Sequence, residues 1–502
     1  MKLPKDFNII GPELYDYQLD SFLFCLQRDN SGLLLQMGLG KSRIAIDVAR
    51  YRMQFDNVKK ILVVCPTSIL YNWELEVKKF SEYKSAILHA HSKEDRINKT
   101  LSNSYTFGII NYEALYPLLR DLGVINKVSG KKTFVLASNY KDILATMGFG
   151  MIIFDESARF IKTHDARRTI CSIILSDVVD YKLILTGTPI SNRPLDVWSQ
   201  FRALDGGKTF GPDYYAFRSF YFYKFPNNNW GRYFLKKDRS HLFSSKLYSV
   251  CIRKKKSDVL KDLPQQLYST IHIKMPSDLR QLYIDVKRQI ISEIETQEGT
   301  TTLIIPSILA KLLRLQQITA GFTVKDGKTV QLVQQPKLEA LIEHIELIID
   351  QEESAIIWCR FLKSISMIAD RLSRLGIKHV TMSGEDKDKD KFNKWKGYQQ
   401  SKDTNIFIGQ VESGGIGIEL FKMDSLEEKT QYSIFYENTY SLDVREQAKS
   451  RVHRIGQKST CMYTDLIVED SIDEFIIKSL EQKKNVADMI LDGGINKLKA
   501  EL

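Results

Sequence analysis

Short apolar runs recur along this chain, each followed by turn-forming or polar residues and then by a longer stretch with helical spacing. KKILVVC (59–65), GMIIFD (150–155) and YKLILTG (181–187) mark the first half. SAIIWC (354–359), HVTMSG (379–384), NIFIGQ (405–410), SIFYEN (433–438) and TDLIV (464–468) mark the second. Runs of roughly four to eight residues without polar alternation suit strands buried on both faces. Strand and helix in alternation predict an α/β chain of parallel sheets covered by helices. In such sheets ligands gather at the carboxyl ends of the strands. The chain has 502 residues, more than one ordinary core accommodates, and the two series of runs predict two lobes. The expected boundaries are 1–265 and 266–502.

Six motifs in fixed order sit where these runs end or shortly after. They are LLLQMGLGKS (33–42), VVCPTS (63–68), IIFDES (152–157), LTGTP (185–189), SGGIGIEL (413–420) and QAKSRVHRIGQ (447–457). In the first, Gly38 and Gly40 let the backbone turn its amides toward a phosphate. Leu39 completes the turn. Lys41 supplies a cation for the β and γ phosphates, and Ser42 offers a hydroxyl to Mg2+. A helix starting here adds the positive end of its dipole. The general pattern GxxxxGK[ST] asks for glycine where Leu35 stands. A glycine-rich turn without ligand is the plainer reading, and Lys41–Ser42 at the right offset weigh against it.

IIFDES ends a strand in adjacent carboxylates. Asp155 is suited to hold a metal through water, and Glu156 to polarise the attacking water. Gln447, Arg451 and Arg454 follow one another at spacings of four and three, which predicts one shared helical face. Guanidinium groups there would stabilise charge on a transferred phosphoryl group. His453 has no second His or Cys at ligand spacing and reads as a packing or hydrogen-bonding residue. Thr186, Gly187, Thr188 and Pro189 form a strand-ending turn. Pro66, Thr67 and Ser68, and the glycines Gly414, Gly415 and Gly417, offer hydroxyls and amides suited to sugar–phosphate contacts.

Two stretches interrupt the rhythm. Residues 205–264 are rich first in aromatics, including Phe210, Phe217, Tyr221 and Phe222, and then in basic residues. Rings packed on the first lobe as a helical insertion near 205–260 is the first reading, and base stacking the second. A second helical insertion is expected near 277–335, where LLRLQQITAGF (312–322) shows a core face. DKDKDK (386–391) reads as a solvated loop or a helix start.

Lysine and arginine number 72 against 61 aspartates and glutamates, a net +11 that favours a polyanionic partner. The signs are interleaved, so folding must gather the excess if it is to form a track for DNA. The six cysteines include no CxxC pair, against a zinc module or disulfide framework and in keeping with a reducing compartment. No apolar run reaches the roughly 18 residues of a membrane span. MKLPKDFNIIGPELYDYQ lacks an apolar signal core, which argues against secretion.

At these residues the chain resembles the Swi/Snf-type branch of superfamily-two helicase-like ATPases. The resemblance rests on LYDYQ (14–18), QMGLGKS, LTGTPISNRPLDVWSQFRAL (185–204), CIRKKKSDVLKDLP (251–264), GGIGIEL and QAKSRVHRIGQ, and runs from about residue 12 to about 492. In style it is similar to small bacterial or phage members and to annealing helicases. It implies two tandem RecA-like lobes, ATP and Mg2+ as cofactors, and ATP-driven travel on double-stranded DNA. Gln18 would read adenine. Lys41, Ser42, Asp155 and Glu156 would run hydrolysis, completed from the second lobe by Gln447, Arg451 and Arg454. Pro66, Thr67, Ser68, Gly414 and Gly415 would touch a DNA strand. The implied protein is a monomer that works in the cytoplasm of a bacterium or phage host, with the nucleus left open. A protein cargo or recruiting factor on the DNA is its further possible partner.

Two departures stand out: Ala158 where the family usually has histidine, and Glu419 where asparagine is usual. The basic run 253–256 lies inside a branch motif, so a structural or DNA-facing role is expected over a nuclear signal. The rival readings are a strand-separating or fork-remodelling helicase and a non-hydrolysing DNA-binding regulatory module.

Overall fold

The computed structural model describes residues 3–482 apart from 89–91, 128–133, 188–193, 225–232, 260–263, 296–300, 326, 415–419, 421, 423–428 and 455. Thr188, Pro189, Gly415, Gly417 and Glu419 therefore lie outside the described residues. The chain forms two compact units, Met1–Lys261 and Asp262–Leu502.

The first unit is built on β1 (Asn30–Leu35), β2 (Ile61–Cys65), β3 (Ser85–Ile87), β4 (Phe107–Asn111), β5 (Met151–Asp155), β6 (Tyr181–Leu185) and β7 (Cys251–Lys254). These make one sheet in the order β7-β1-β6-β5-β2-β4-β3. Every neighbouring pair is parallel. Strands β2, β4 and β5 are buried at every position, as unalternated apolar runs require. Helices that cover the sheet include α1 (Asp16–Leu26), α2 (Lys41–Phe55) and α3 (Leu70–Phe80). Apolar positions 70, 73, 77 and 80 of α3 face inward at helical spacing.

The aromatic stretch folds as helices Tyr214–Tyr221 and Ser240–Val250 with a ribbon pairing Phe222–Lys224 and Tyr233–Leu235. Phe210, Phe217, Tyr221, Phe222 and Phe243 join the first unit's core beside Val197 and Phe201. Phe210 meets Phe201 edge-on at 4.9 Å between ring centres. Packing on the first lobe is thus what these buried rings do, whereas Tyr215 and Phe220 remain exposed.

In the second unit β8 (Gln266–Ile273), β9 (Ser354–Cys359), β10 (His379–Met382), β11 (Ile406–Gln410), β12 (Thr430–Phe435) and β13 (Thr460–Val468) form a sheet ordered β8-β13-β12-β9-β11-β10. It too is parallel throughout. Both units are thus parallel α/β lobes, the class expected from the alternating runs. Residues 277–335 supply helices Ser277–Glu295 and Thr301–Thr319 and a short hairpin. Leu312, Leu315 and Ile318 of the second helix are buried, the core face expected of LLRLQQITAGF. Asp388 opens helix Asp388–Gln400, and Asp386 just before it accepts from Lys394 Nζ at 2.6 Å. All six cysteines are buried and unbridged. Among the described residues no helix is long and apolar enough to cross a membrane.

Candidate nucleotide and nucleic-acid sites

At the carboxyl end of β1 the chain enters the glycine-rich loop. Gly38 and Gly40 have φ of 82° and 79°, a left-handed conformation that side chains disfavour. At Gly40 a Cβ would also lie 2.5 Å from Gln18 Nε2. Leu39 between them is fully buried and anchors the turn. Gly40 caps α2 without a side-chain hydrogen bond, so the helix's leading amides stay available to an anion. Lys41 opens α2 and its Nζ donates to Leu35 O at 3.1 Å. Ser42 follows, half-buried, in the same turn.

Segment 14–18 is bound onto this loop. Gln18 Oε1 accepts from Tyr15 N at 3.1 Å, and its Nε2 donates to Leu39 O at 3.2 Å. Tyr17 Oη donates to the same carbonyl at 3.2 Å. From the other side, β7 pairs Lys254 with Leu35, and Lys256 N donates to Gln36 Oε1 at 2.8 Å. Lys254 also pairs with Asp20 of α1. Two of the lysines in 253–256 are therefore stitched to the loop and α1, while Arg253 and Lys255 are exposed.

The carboxylates lie two strands away, at the end of β5. Asp155 is buried, and both its oxygens accept hydrogen bonds: Oδ1 from Glu156 N at 2.8 Å and Oδ2 from Trp73 Nε1 at 2.9 Å. Its carbonyl accepts from Tyr112 Oη at 2.8 Å. Burial pushes the Asp155 carboxyl up to about 6, the Glu156 charge adds to this, and Lys41 and Trp73 pull it down. Lys41 and Asp155 thus act on each other electrostatically. Glu156 has φ of 51°, a backbone strain of the order of 1–3 kcal/mol that sets the carboxylate on a sharp strand-to-helix turn. Behind it Ser157 Oγ donates to Gln200 Oε1 at 3.0 Å. Ala158, where the resemblance led one to expect histidine, is buried.

Thr67–Ile69 form a single 3-10 turn after β2, preceded by Pro66. Asn111 Nδ2, at the end of β4, donates to Thr67 Oγ1 at 2.9 Å and to Glu113 Oε2 at 3.3 Å. Ser68 Oγ is a buried hydroxyl with no hydrogen-bond partner, in a turn otherwise well bonded.

In the second unit the helix carrying Gln447, α4 (Leu442–Lys449), ends before the arginines. The chain goes on from there in turns, with Arg451 N donating to Ala448 O at 3.1 Å and His453 N to Lys449 O at 3.4 Å. Arg451 O accepts from Leu420 N at 3.1 Å, and Ser450 Oγ bonds back to Gln447 O at 2.7 Å. His453 Nε2 donates to Pro264 O at 3.0 Å, and its Nδ1 accepts from Gln266 Nε2 at 2.5 Å. The histidine is thus a hydrogen-bonding residue. Arg451 is buried and Arg454 half-buried. Gly414 ends the short helix Val411–Gly414 that follows β11. Among the described residues no cluster of three potential metal-ligating side chains occurs.

A polar network underlies this edge. Arg445 of α4 grips Asp465 with two bonds of 2.7 Å, and Asn438 Nδ2 reaches the same carboxylate at 2.8 Å. Nearby, Glu437 accepts from Arg360 N at 2.8 Å and from Ser364 Oγ. Burial pushes the Glu437 carboxyl up to about 7, Ser364, Arg360 N and Lys337 oppose the rise, and Asp473 adds to it. A raised folded value means that stability is fully present below the ordinary value near 4.5 and is lost as pH rises through 7. Glu437→Gln should remove this term. The variant should gain on the wild type by about 3 kcal/mol between pH 4.5 and 8 in chemical denaturation. A constant difference across that range would refute the assignment.

Composition and spacing did not single out Trp73, Tyr112, Arg445 or Asp465. The available signal was chemical: a buried tryptophan or tyrosine needs an acceptor, which the helical spacing of α3 brings within reach.

The model of the SNF2-related domain matches residues 17–321. The chain belongs to the SNF2-related family. A Mycoplasma pneumoniae protein named as an uncharacterized ATP-dependent helicase is 24% identical over 466 residues, covering 92% of this chain and 40% of that protein. The Caenorhabditis elegans homolog of SWI/SNF-related matrix-associated actin-dependent regulator of chromatin subfamily A-like protein 1 is 23% identical over 501 residues, covering 96% of this chain and 63% of its own length. This SNF2-related chain thus spans under two thirds of these relatives. Among solved structures, the Sulfolobus solfataricus SWI2/SNF2 ATPase core in complex with dsDNA aligns with a TM-score of 0.44 and 22% identity, over 100% of this chain and 97% of that one.

Proposed function

We propose that this chain is a DNA-dependent ATPase that travels along double-stranded DNA and remodels what it meets there, a bound protein or a branch. The observation carrying this reading is the row of groups at the carboxyl edge of the first sheet. A two-glycine loop and Lys41 at the start of α2 face the electrostatically coupled Asp155, beside the strained Glu156. The loop amides and Lys41 bind and orient the phosphates. Glu156 orients the attacking water for in-line displacement. The oxygen donors Ser42 and Asp155 suit Mg2+, a hard cation that takes its remaining ligands from phosphate and water. When bound, that ion neutralises charge on the phosphate oxygens. Gln18 contacts adenine.

Thr67 and Ser68 bind the phosphate backbone, with the orphaned Ser68 hydroxyl supplying a donor that lacks an acceptor. Such contacts are sequence-independent and weaken with salt.

The test is ATP turnover with and without blunt duplex, beside triplex displacement and displacement on a labelled fork. Duplex-stimulated turnover with triplex displacement and no strand separation is expected. Strand separation on plain duplex would favour a helicase, and absence of turnover a regulatory DNA-binding module.

A further inference from the structure

The carboxyl edge of the first sheet places three turns side by side, because the strand order there is β5-β2-β4. Asp155 ends β5, the turn 66–69 follows β2, and the turn 112–114 follows β4. The two turns are tied together through Asn111 Nδ2, which donates to both Thr67 Oγ1 and Glu113 Oε2. Each turn also leads into an aromatic donor aimed at the same aspartate. The 3-10 turn 67–69 runs without a break into α3, whose first turn carries Trp73. Its Nε1 donates to Asp155 Oδ2 at 2.9 Å. Tyr112 opens the second turn, and its Oη donates to Asp155 O at 2.8 Å. All three residues are buried, and Tyr112 is clamped face-to-face on Phe160 at 4.8 Å.

We propose that Trp73 and Tyr112 are positioning residues that transmit the loading of a DNA strand on the 66–69 and 112–114 turns to the Asp155 carboxylate. The inference rests on the translocase reading above. A hydrogen bond to a buried carboxylate is strong and directional, so displacing its donor re-aims the acceptor. A buried tryptophan in a close-packed interior cannot move alone, so a shift of turn 67–69 is carried through α3 to Nε1. Tyr112 grips the backbone of the same residue and fixes the pivot about which the carboxylate turns. A lysine or serine in these places would solvate Asp155 without reporting on the neighbouring turns.

Trp73→Phe keeps a ring and removes the N–H; Tyr112→Phe removes only the hydroxyl and preserves the stack on Phe160. The ratio of duplex-stimulated to DNA-free turnover should fall by about tenfold in Trp73→Phe, the scale of one hydrogen bond to a charged group, and by about fivefold in Tyr112→Phe, the scale of one to a neutral carbonyl, while duplex affinity stays close to that of the wild type. A role confined to holding the fold would lower both rates together and leave the ratio intact. A second readout needs no turnover. The emission of Trp73, taken as the difference between wild type and Trp73→Phe, should respond to duplex alone, and Tyr112→Phe should blunt that response. An unchanged stimulation ratio in both folded variants, or Trp73 emission indifferent to DNA, overturns the proposal. Absence of DNA stimulation in the wild type would instead sink the translocase reading, and the emission response would still test the relay separately.

Discussion

Replacing Lys41 by alanine is expected to lower ATP turnover by at least about a hundredfold, the typical loss when a preorganised group facing developing charge is removed. Nothing else in the first unit's loop can substitute. Gly38, Leu39 and Gly40 contribute only backbone amides, and Ser42 a neutral hydroxyl. Lys41 Nζ rests on Leu35 O at the end of β1, within the electrostatic reach of Asp155. That position places its charge between the loop and the carboxylates. Glu156→Gln should be comparably inactive by a different route, since the amide keeps the shape on the strained turn and loses the acceptor for a water proton. Both variants should still retain duplex in a salt-sensitive binding assay, because Thr67 and Ser68 are untouched. Robust hydrolysis by both would refute the site assignment. Loss in Lys41→Ala alone would keep the phosphate loop and dismiss Glu156 as the water-orienting group.

The strands were readable because a run such as ILVVC can satisfy neither face of a half-exposed sheet, and burial on both faces leaves few architectures. The glycine-rich turn was readable for a similar reason: its backbone needs φ near +80° twice, and glycine stands at both places. The link between Trp73 and Asp155 was not. It depends on β2 lying beside β5, a lateral order that a sequence separation of 82 does not spell out. The end of α4 at Lys449 was not legible either, since the spacing of Gln447, Arg451 and Arg454 is helical throughout. No proline or glycine stands at 450 to mark the stop, and Leu420 and Pro264, which bond Arg451 O and the His453 ring just beyond it, are distant in sequence. The basic run 253–256 advertised charge, yet Lys254 and Lys256 serve as joinery for the loop.

Arg445→Ala should destabilise the second unit by about 3–5 kcal/mol, because it strands a buried carboxylate without its partner. Asp465 is 8% exposed and receives both guanidinium bonds, while Asn438 alone would remain to it. Calorimetry resolves the effect if the units unfold separately: the transition of the second unit should move down and that of the first stay in place. Arg445→Lys should recover little, since an ammonium cannot make the two parallel bonds. The double variant Arg445→Met/Asp465→Leu removes the stranded charge and should restore much of the stability. Arg445 is also the point where α4 is fastened to β13, two residues before Gln447. A double variant that regains stability but not duplex-stimulated turnover would show the ion pair orienting Gln447 toward its task. Full activity there would make it a structural clamp only, and wild-type stability in Arg445→Ala would dismiss the clamp as well.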